Sequence, residues 1–360
     1  MKIGIITQPL SRNYGGILQN YALQQTLVKL GYEPYTFDLG KFTWIDWIIT
    51  TLKCMVKMII GRPYLFPESP ITKYHKEKYL RKFVENKICL IAPRCRRISH
   101  NKILKLNLRI IIVGSDQVWR PKYNYNIYDM YLGFTKLNIK RIAYAASFGT
   151  DQWEYSNKQT VKCKKLIHQF DAISVREDSA IDLCHNHFGV NAKLVLDPTL
   201  LLSVSEYNNL LLTIPPKTGQ ILFAYFLDIS ANKLTYTNSI ANKLGYTPKI
   251  KSAGEHLTSE DSIEEWLSYF RDAKYIITDS FHGMVFSIIY NKEFMVIGNS
   301  QRGLSRFTSL LSLFSLEDRI ITDIQDITLN TTPIDWQKIN NKRATLQKES
   351  INFLLQNINF

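Results

Sequence analysis

The chain has 360 residues, a length that favours two domains over one. With 45% hydrophobic residues it can bury a globular core, and its formal net charge of +14 predicts an anionic partner. Long runs of Lys and Arg are missing, so that partner is not expected to be nucleic acid. The five cysteines form no Cys-x-x-Cys pair and no cationic leader precedes the first strand, which predicts reduced thiols, a cytoplasmic location and no bound metal.

The first domain is predicted to be a parallel sheet covered by helices, because short apolar strands alternate with helices along the chain. It begins with a strand at Lys2–Thr7, a helix over about Ile17–Leu30 and a strand at Glu33–Leu39. The stretch Gly40–Lys105 is richer in aromatic and basic residues, and we interpret it as a helical insertion. Four further apolar strands are predicted at Arg109–Val113, Arg141–Ser147, Ala172–Val175 and Lys193–Leu196.

A second α/β unit is predicted after a boundary between about residues 202 and 219. Its elements are strand Ile221–Leu227, helix Ala231–Leu244, strand Pro248–Ser252, strand Tyr275–Thr278, helix Gly283–Tyr290 and strand Phe294–Ile297. The chain therefore divides into a domain at 1–205 with the insertion at about 40–105, a domain at 206–330 and a helical tail at 331–360. Two Rossmann-like, doubly wound α/β domains of this kind hold their ligand in the cleft between them.

Polar segments follow several of the predicted strands, at the ends where ligands of open parallel sheets gather. After the first strand, Asn13 precedes Gly15 and Gly16 at a helix start. This pattern is as typical of an anion-binding site as of a plain turn. After the strand at 172–175 comes Arg176, whose planar fork suits a carboxylate or a phosphate, although a surface ion pair is an equal alternative.

The segment after Arg109–Val113 carries Ser115, Asp116 and Trp119. Here Asp116 could accept hydrogen bonds from sugar hydroxyls while Trp119 stacks on a sugar face. The alternative, which the pattern alone favours, is that Ser115 or Asp116 caps the following helix.

The segment after Tyr275–Thr278 is the most informative, because a short apolar strand delivers Asp279, Ser280 and His282 to a helix start. A neutral imidazole in such a place can take a proton from a hydroxyl. A purely structural histidine is an equal alternative.

Six segments, taken in order, resemble the polysaccharide pyruvyltransferase family. They are Asn13-Tyr14-Gly15-Gly16, Gly114-Ser115-Asp116-Gln117-Val118-Trp119, Ala143-Tyr144-Ala145-Ala146-Ser147-Phe148-Gly149, Ser174-Val175-Arg176-Glu177-Asp178-Ser179-Ala180, Leu196-Asp197-Pro198-Thr199-Leu200 and Thr278-Asp279-Ser280-Phe281-His282-Gly283. The resemblance covers most of the chain up to about Leu313, apart from the insertion. It implies a fold like the B-type glycosyltransferases, phosphoenolpyruvate as donor, and as acceptor a sugar of a capsule, an exopolysaccharide or a lipid-linked precursor.

The resemblance also implies which residues form the site, with no cofactor besides the donor substrate. The expected catalytic residues are His282 and Asp116, the expected donor-binding residues are Arg176, Ser280, Gly283, Arg302 and Arg306, and the expected acceptor or cleft residues are Asn13, Gly15, Gly16, Ser115, Trp119 and Asp279. Family members often have Arg-Leu-His-Gly where this chain has Ser280-Phe281-His282-Gly283. Arg302 or Arg306 would then replace the arginine that is missing at Ser280.

Two other functions share this architecture. One is a glycosyltransferase that uses a nucleotide-sugar, and the other is a non-catalytic glycan- or lipid-binding protein.

The segment Trp44–Gly61 is mostly apolar, with Lys53 and Lys57 on one helical face and Trp44 and Trp47 near one end. This pattern suits a helix that lies in the surface of an anionic bilayer, but the pattern alone favours a helix packed on the first domain with its lysines in solvent. The net charge of +14 and the lipid-linked acceptor that the resemblance implies favour the bilayer, so peripheral attachment to the inner face of the plasma membrane is expected.

Overall fold

The computed structural model describes residues 1–40, 42–95, 98, 100–135, 138–252, 262–298, 303–322 and 332–359. The strands are β1 (Lys2–Ile6), β2 (Glu33–Leu39), β3 (Leu90–Cys95), β4 (Ile110–Val113), β5 (Lys140–Ala146), β6 (Ala172–Val175), β7 (Lys193–Leu194), β8 (Ile221–Phe226), β9 (Thr247–Ser252), β10 (Tyr275–Thr278), β11 (Glu293–Ile297) and β12 (Ile320–Ile321). The helices are α1 (Tyr14–Lys29), α2 (Trp44–Ile59), α3 (Pro70–Lys87), α4 (His100–Leu106), α5 (Asn157–Ile167), α6 (Ser179–Leu183), α7 (Val204–Asn208), α8 (Ala231–Leu244), α9 (Ile263–Asp272), α10 (Phe281–Ile289), α11 (Ser305–Phe314) and α12 (Trp336–Ile358).

The strands form two parallel sheets, which confirms the predicted α/β fold. The first sheet has the order β3-β2-β1-β4-β5-β6-β7 and the second has the order β12-β11-β10-β8-β9. Both orders reverse direction in the middle, between β1 and β4 in the first sheet and between β8 and β10 in the second. Such switch points open a crevice at the carboxyl ends of the strands, and this is where doubly wound folds place their ligands.

Both faces of the first sheet are buried, because alternate residues of each strand point to opposite sides. In β4, Ile110 and Ile112 join one apolar cluster, while Ile111 and Val113 join another. The first of these clusters continues into the second sheet through Phe223 and its neighbours. The two sheets therefore share a core, and this core sets the position of their facing strand ends.

The insertion at 40–105 is not purely helical, which corrects the sequence prediction. It contains α2, α3 and α4, but residues 90–95 form β3, which pairs in parallel with β2 at the edge of the sheet. The strand contains Pro93, a residue that removes a ladder hydrogen bond and is tolerated at a sheet edge. Because the proline and the neighbouring arginines interrupt the apolar run, the hydrophobic pattern of the sequence does not predict this strand.

The predicted helical tail is α12, which crosses back from the second sheet to the first domain. The Ser350 hydroxyl accepts a hydrogen bond from the Leu196 amide at 3.0 Å, and the Gln347 amide donates to the Leu200 carbonyl. The Phe353 ring packs against Tyr144 of β5 with a centroid distance of 6.3 Å. The chain therefore connects the two sheets twice, once after β7 and once before α12.

Candidate active site

The crevice between β1 and β4 is built by hydrogen bonds that link the two strand ends. The Thr7 hydroxyl donates to the Ser115 carbonyl at 2.9 Å, and the Gln19 amide donates to Thr7 at 2.9 Å. Directly afterwards Asp116 adopts a φ of +75°, in the left-handed region that residues other than glycine rarely occupy. Backbone strain of this kind clusters at functional sites, because the surrounding structure must hold it in place.

Three acids surround Arg176, which follows β6. Its Nη1 donates to Asp197 Oδ2 at 2.8 Å, its Nη2 donates to Asp116 Oδ1 at 3.4 Å, and its Nε lies 3.7 Å from Glu177 Oε2. Burial on its own would lower the pKa of Arg176, but the three carboxylates outweigh it and raise that pKa. The guanidinium is therefore a permanent positive charge at the centre of the site.

Asp197 connects this arginine to the second domain. Its Oδ2 also accepts a hydrogen bond from the Ser115 hydroxyl at 2.8 Å, and its Oδ1 accepts from the amide and hydroxyl of Thr199. The same Oδ2 lies 3.8 Å from His282 Nε2, too long for a hydrogen bond but close enough for an ion pair. Burial opposes ionisation of Asp197, yet His282 and Arg176 outweigh it and hold the pKa of this carboxyl well below its usual range.

His282 lies in the first turn of α10 and faces the first turn of α1 across the cleft. A Cβ atom added to Gly15 would lie only 2.0 Å from His282 Nδ1, so the imidazole packs directly on the glycine backbone. Among the residues that the structure describes, His282 Nε2 has no hydrogen-bond partner although it is buried. Two helix N-termini, which both favour negative charge, therefore meet beside Asp116 and His282.

A second arginine, Arg306 of α11, is buried near Arg176. The guanidinium carbons of Arg176 and Arg306 lie 4.6 and 5.8 Å from the centre of the Phe281 ring. Burial, followed by the charge of Arg176, lowers the pKa of Arg306 to about 10. Burial thus disfavours the positive charge of Arg306, and a bound anion would offset that cost. The other candidate arginine, Arg302, lies outside the described residues.

Glu177 holds the loop after β5 in place. Its Oε1 accepts hydrogen bonds from the Ser147 hydroxyl at 2.9 Å and from the Phe148 and Gly149 amides at 2.8 and 3.1 Å. Burial raises the pKa of this carboxyl, and Arg176 offsets only part of the effect. The loop it fixes therefore has a defined position against the site.

Several of the expected site residues do meet here. Asn13 donates to Asp116 Oδ2 at 3.4 Å, and a Cβ atom on Gly16 would lie 3.1 Å from the same oxygen. Gly15 and Ser115 contact His282 and Asp197 as described above. The structure thus brings together most of the residues that sequence placed at four separate strand ends.

The expected sugar-stacking role of Trp119 is wrong. The ring is fully buried and stacks on Tyr131 at a centroid distance of 5.3 Å, and its indole nitrogen donates to the Met130 carbonyl at 3.1 Å. The ring and its polar edge are both used inside the core, where Trp119 also contacts Phe148 at a centroid distance of 5.5 Å. No face is left for a sugar.

Three residues of the second domain that were predicted to belong to the site are hydrogen-bonded or tightly packed within the protein. Asp279 accepts hydrogen bonds from Lys233 at 2.5 Å and from the Leu227 amide at 2.6 Å. The Ser280 hydroxyl caps α10 by accepting from the Gly283 amide at 3.3 Å, which corrects its donor-binding assignment. A Cβ atom on Gly283 would lie 2.2 Å from Thr278 Oγ1, so Gly283 permits the close packing of α10 on the end of β10.

Asp197 was missed as a site residue by sequence reasoning, although it lies in one of the six resembling segments. Its signal is the run Asp197-Pro198-Thr199 after a short strand. The role becomes visible only when Arg176 and His282 are seen to share its Oδ2 atom.

The described residues contain no group of three or more His, Cys, Asp and Glu side chains placed to hold a metal ion. Within that same part of the chain, no helix has both the length and the apolar character needed to cross a membrane.

The fold and the site define a two-domain α/β protein whose polar centre is shared by both domains. The chain belongs to the polysaccharide pyruvyl transferase family, since the model of that family matches residues 13–301. The match includes Asp116, Arg176, Asp197 and His282.

Individual proteins are similar to the chain at lower levels. General stress protein 30 of Bacillus subtilis strain 168 is 26% identical over 174 residues, which are 45% of this chain and 49% of that protein, so the chain spans about half of this relative. The UDP-GlcNAc 2-epimerase of Methanocaldococcus jannaschii has a TM-score of 0.48 with 10% identity, over 96% of this chain and 93% of that one. MurG of Acinetobacter baumannii has a TM-score of 0.43 with 9% identity, over 99% of this chain and 98% of that one. Structural similarity at this level supports no functional argument.

Proposed function

We propose that the protein transfers a pyruvyl group from phosphoenolpyruvate to two hydroxyls of one sugar and forms a pyruvate ketal. The acceptor belongs to a cell-surface polysaccharide or to its lipid-linked precursor. Family membership supports transfer to a polysaccharide. The observation that carries the proposal is the meeting of Asp116, Arg176 and His282, contributed by both domains, at two helix N-termini.

The reaction needs an acid, a base and a site for an anion. The methylene carbon of the donor gains a proton and becomes a methyl group, while one sugar hydroxyl adds to the central carbon and loses its proton. A second hydroxyl then attacks the same carbon, the bond to the phosphate oxygen breaks, and inorganic phosphate leaves with the remaining proton. Positive charge develops on the central carbon, so carboxylates nearby stabilise the transition state.

The residues divide these tasks. His282 moves a proton to or from the reacting groups, and Asp197, 3.8 Å from its Nε2 atom, positions it. Asp116 accepts hydrogen bonds from the acceptor hydroxyls. The donor anion lies near Arg176 and Arg306, two buried guanidinium groups that lie against the same Phe281 ring. Because these side chains are buried, the substrates enter when the two domains separate and react when they close.

The donor is tested by thermal shift with phosphoenolpyruvate and with a panel of nucleotide-sugars, followed by measurement of phosphate release with added glycan. Phosphoenolpyruvate is expected to raise the melting temperature, since a ligand that binds only the folded state stabilises it. Stabilisation by a nucleotide-sugar alone would identify a glycosyltransferase, and stabilisation by neither would refute the proposed donor.

The protein works at the inner face of the plasma membrane, attached through α2. Only Asp46 and Cys54 are buried in this helix, and Ile59 is 79% exposed. The exposed apolar side chains of the helix, which we call the α2 face, are Trp44, Ile45, Ile48, Ile49, Leu52, Met55, Val56, Met58 and Ile59. This exposure contradicts the alternative of a helix whose apolar side packs on the first domain. Apolar surfaces of this extent are typical of membrane or protein contacts.

The charges beside the α2 face favour an anionic bilayer. Between residues 44 and 66 the exposed charged side chains are Lys53, Lys57 and Arg62, while Asp46 is buried in the helix cap with Thr43. Protein interfaces are depleted in lysine, whereas interfacial helices carry lysine beside apolar residues and tryptophan. The helix therefore has the composition that anionic lipid headgroups attract.

Co-sedimentation with vesicles of phosphatidylglycerol and phosphatidylcholine tests this attachment. The native chain should sediment at low salt and less at high salt, and Ile48→Ser/Leu52→Ser should remain in the supernatant. The matched control is Val161→Ser/Leu212→Ser, which removes two exposed apolar residues outside the α2 face. A native chain that ignores the vesicles, or that self-associates through the α2 face in light scattering, would overturn the proposal.

A further inference from the structure

An ion-pair cluster joins the insertion to the loop between β1 and α1. Arg12 of this loop donates from Nε to Glu77 Oε1 at 3.1 Å, and its Nη2 is in ion-pair contact with Glu68 Oε2. Glu77 belongs to α3, and Glu68 lies between α2 and α3. Arg12 directly precedes Asn13, so the cluster reaches the first turn of α1. None of these three charged residues was assigned a role above.

The two glutamates that bind Arg12 have defined positions. Glu77 is buried, and Glu68 accepts a hydrogen bond from Lys76 of α3 at 2.7 Å. Burial opposes ionisation of Glu68, but Lys76 and Arg12 outweigh it and lower the pKa of this carboxyl. Arg12 is therefore held by two acidic side chains of the insertion, in a setting more restricted than that of an exposed surface ion pair.

Asn13 is oriented towards the candidate active site and not towards its own helix. It occupies the N-cap position of α1, where an asparagine side chain usually accepts a hydrogen bond from the helix backbone. Within the described part of the chain Asn13 makes no such bond, and its amide donates to Asp116 Oδ2 at 3.4 Å. Two residues later, Gly15 packs on His282. A shift of this turn would therefore displace it from both Asp116 and His282.

Side chains fix both ends of the loop that leads to this turn. At its start, the Gln8 amide donates to the Gln117 carbonyl at 3.0 Å, within the first domain. At its end, Arg12 binds the two glutamates of the insertion. The helix α3 packs on α1, where the rings of Tyr21 and Phe83 have a centroid distance of 5.7 Å. The insertion thus has a defined position relative to the helix that Arg12 precedes.

We infer that Arg12 is a positioning residue, which holds the turn at residues 13–16 against Asp116 and His282 by binding the insertion. The inference rests on the proposed pyruvyl transfer and adds to it a residue that acts through Asn13. A displacement of about 1 Å at a reacting group can lower turnover about 100-fold, so loosening this turn reduces kcat. The insertion then supports the active site as well as carrying the α2 face.

Phosphate release from phosphoenolpyruvate with added glycan, measured on the full chain, tests the inference. Arg12→Ala should lower kcat about tenfold, because the turn is loosened but not removed, and should change KM for phosphoenolpyruvate less than about twofold. Arg12→Lys keeps a charge that can pair with Glu77, so it should recover most of the loss. Arg12→Ala/Asn13→Ala should be no slower than Asn13→Ala, since two residues that act through one contact are not additive.

The matched control is Arg81→Ala. The Arg81 side chain is 20% exposed, against 19% for Arg12, and it joins α3 to Asp38 of β2 and to Glu85 instead of the loop before α1. Equal losses of kcat in Arg12→Ala and Arg81→Ala would show a general loosening of the insertion and overturn the inference. Unchanged kcat in Arg12→Ala, or additive losses in Arg12→Ala/Asn13→Ala, would overturn it too.

Hydrogen exchange gives a readout that needs no substrate. The Ile17 amide donates to the Asn13 carbonyl at 3.0 Å, so Arg12→Ala should speed exchange of this amide about tenfold and leave the amides of β4 unchanged. Unchanged exchange at Ile17 would overturn the inference. Faster exchange in Arg12→Ala, with no phosphate release by the native chain, would refute the proposed reaction and leave the anchoring by Arg12 standing.

Discussion

Replacement of Gly15 by alanine tests whether the two domains meet as described. The new Cβ atom would lie 2.0 Å from His282 Nδ1, whereas non-bonded carbon contacts are about 3.5 Å. The imidazole would therefore have to retreat by about 1.5 Å, the difference between those distances. A displacement of about 1 Å at a reacting group can lower turnover about 100-fold, and overpacking of a buried contact costs about 1–3 kcal/mol. Gly15→Ala should show both effects.

The assay combines phosphate release with urea unfolding, and a double mutant separates the causes. Gly15→Ala/His282→Ala should recover most of the stability lost in Gly15→Ala, since the clashing ring is gone, but it should stay inactive. The control is Gly114→Ala, whose Cβ atom would have its nearest neighbour at 3.5 Å, an ordinary contact. Native activity and stability in Gly15→Ala would show that His282 does not pack on α1 in the working enzyme.

Three further substitutions test the roles of single side chains. His282→Ala should fold normally but lower turnover at least about 100-fold, and near-native turnover would remove His282 from the chemistry. Arg176→Lys should weaken phosphoenolpyruvate binding in calorimetry about tenfold, since lysine lacks the planar fork; unchanged affinity would leave Arg306 as the donor residue. Asp197→Asn tests the pKa argument. The folded pKa of Asp197 lies below its unfolded value of about 3.9, so its contribution to stability is present above about pH 4 and is lost as the pH falls further. Between pH 7 and pH 3 the advantage of the native chain over Asp197→Asn, measured by urea unfolding, should shrink by about 1.3 kcal/mol, and a constant difference would contradict the lowered pKa.

The sequence predicts strands at the correct residues where a short apolar run is flanked by turn residues. The strand at 172–175 and the helix at 231–244 occur at the predicted residues. It missed β3, because a proline inside the run argues against a strand unless the edge position is known. It also could not predict that α12 returns to the first domain, since a helical pattern reports an apolar face but not the surface that covers it.

The candidate site was likewise predicted only in part from the sequence. The prediction that strand ends gather Asp116, Arg176 and His282 follows from parallel topology alone. Asp197 could not be found from its own segment, because its role depends on distances to groups on other elements. Trp119 shows the opposite error: a ring beside a strand end can point into the core or the cleft, and sequence does not distinguish these directions. Ser280 was misassigned because helix capping and ligand binding favour the same residue type at a helix start.

The double passage of the chain between the sheets limits how the enzyme can open. A single linker would leave the second domain free to swing and twist, whereas α12, which lies on β5, ties it to the first domain at a second place. A protease cut near Leu212, which is 83% exposed, would sever only one of the two crossings. The halves would remain one particle, because the passage that leads to α12 stays intact.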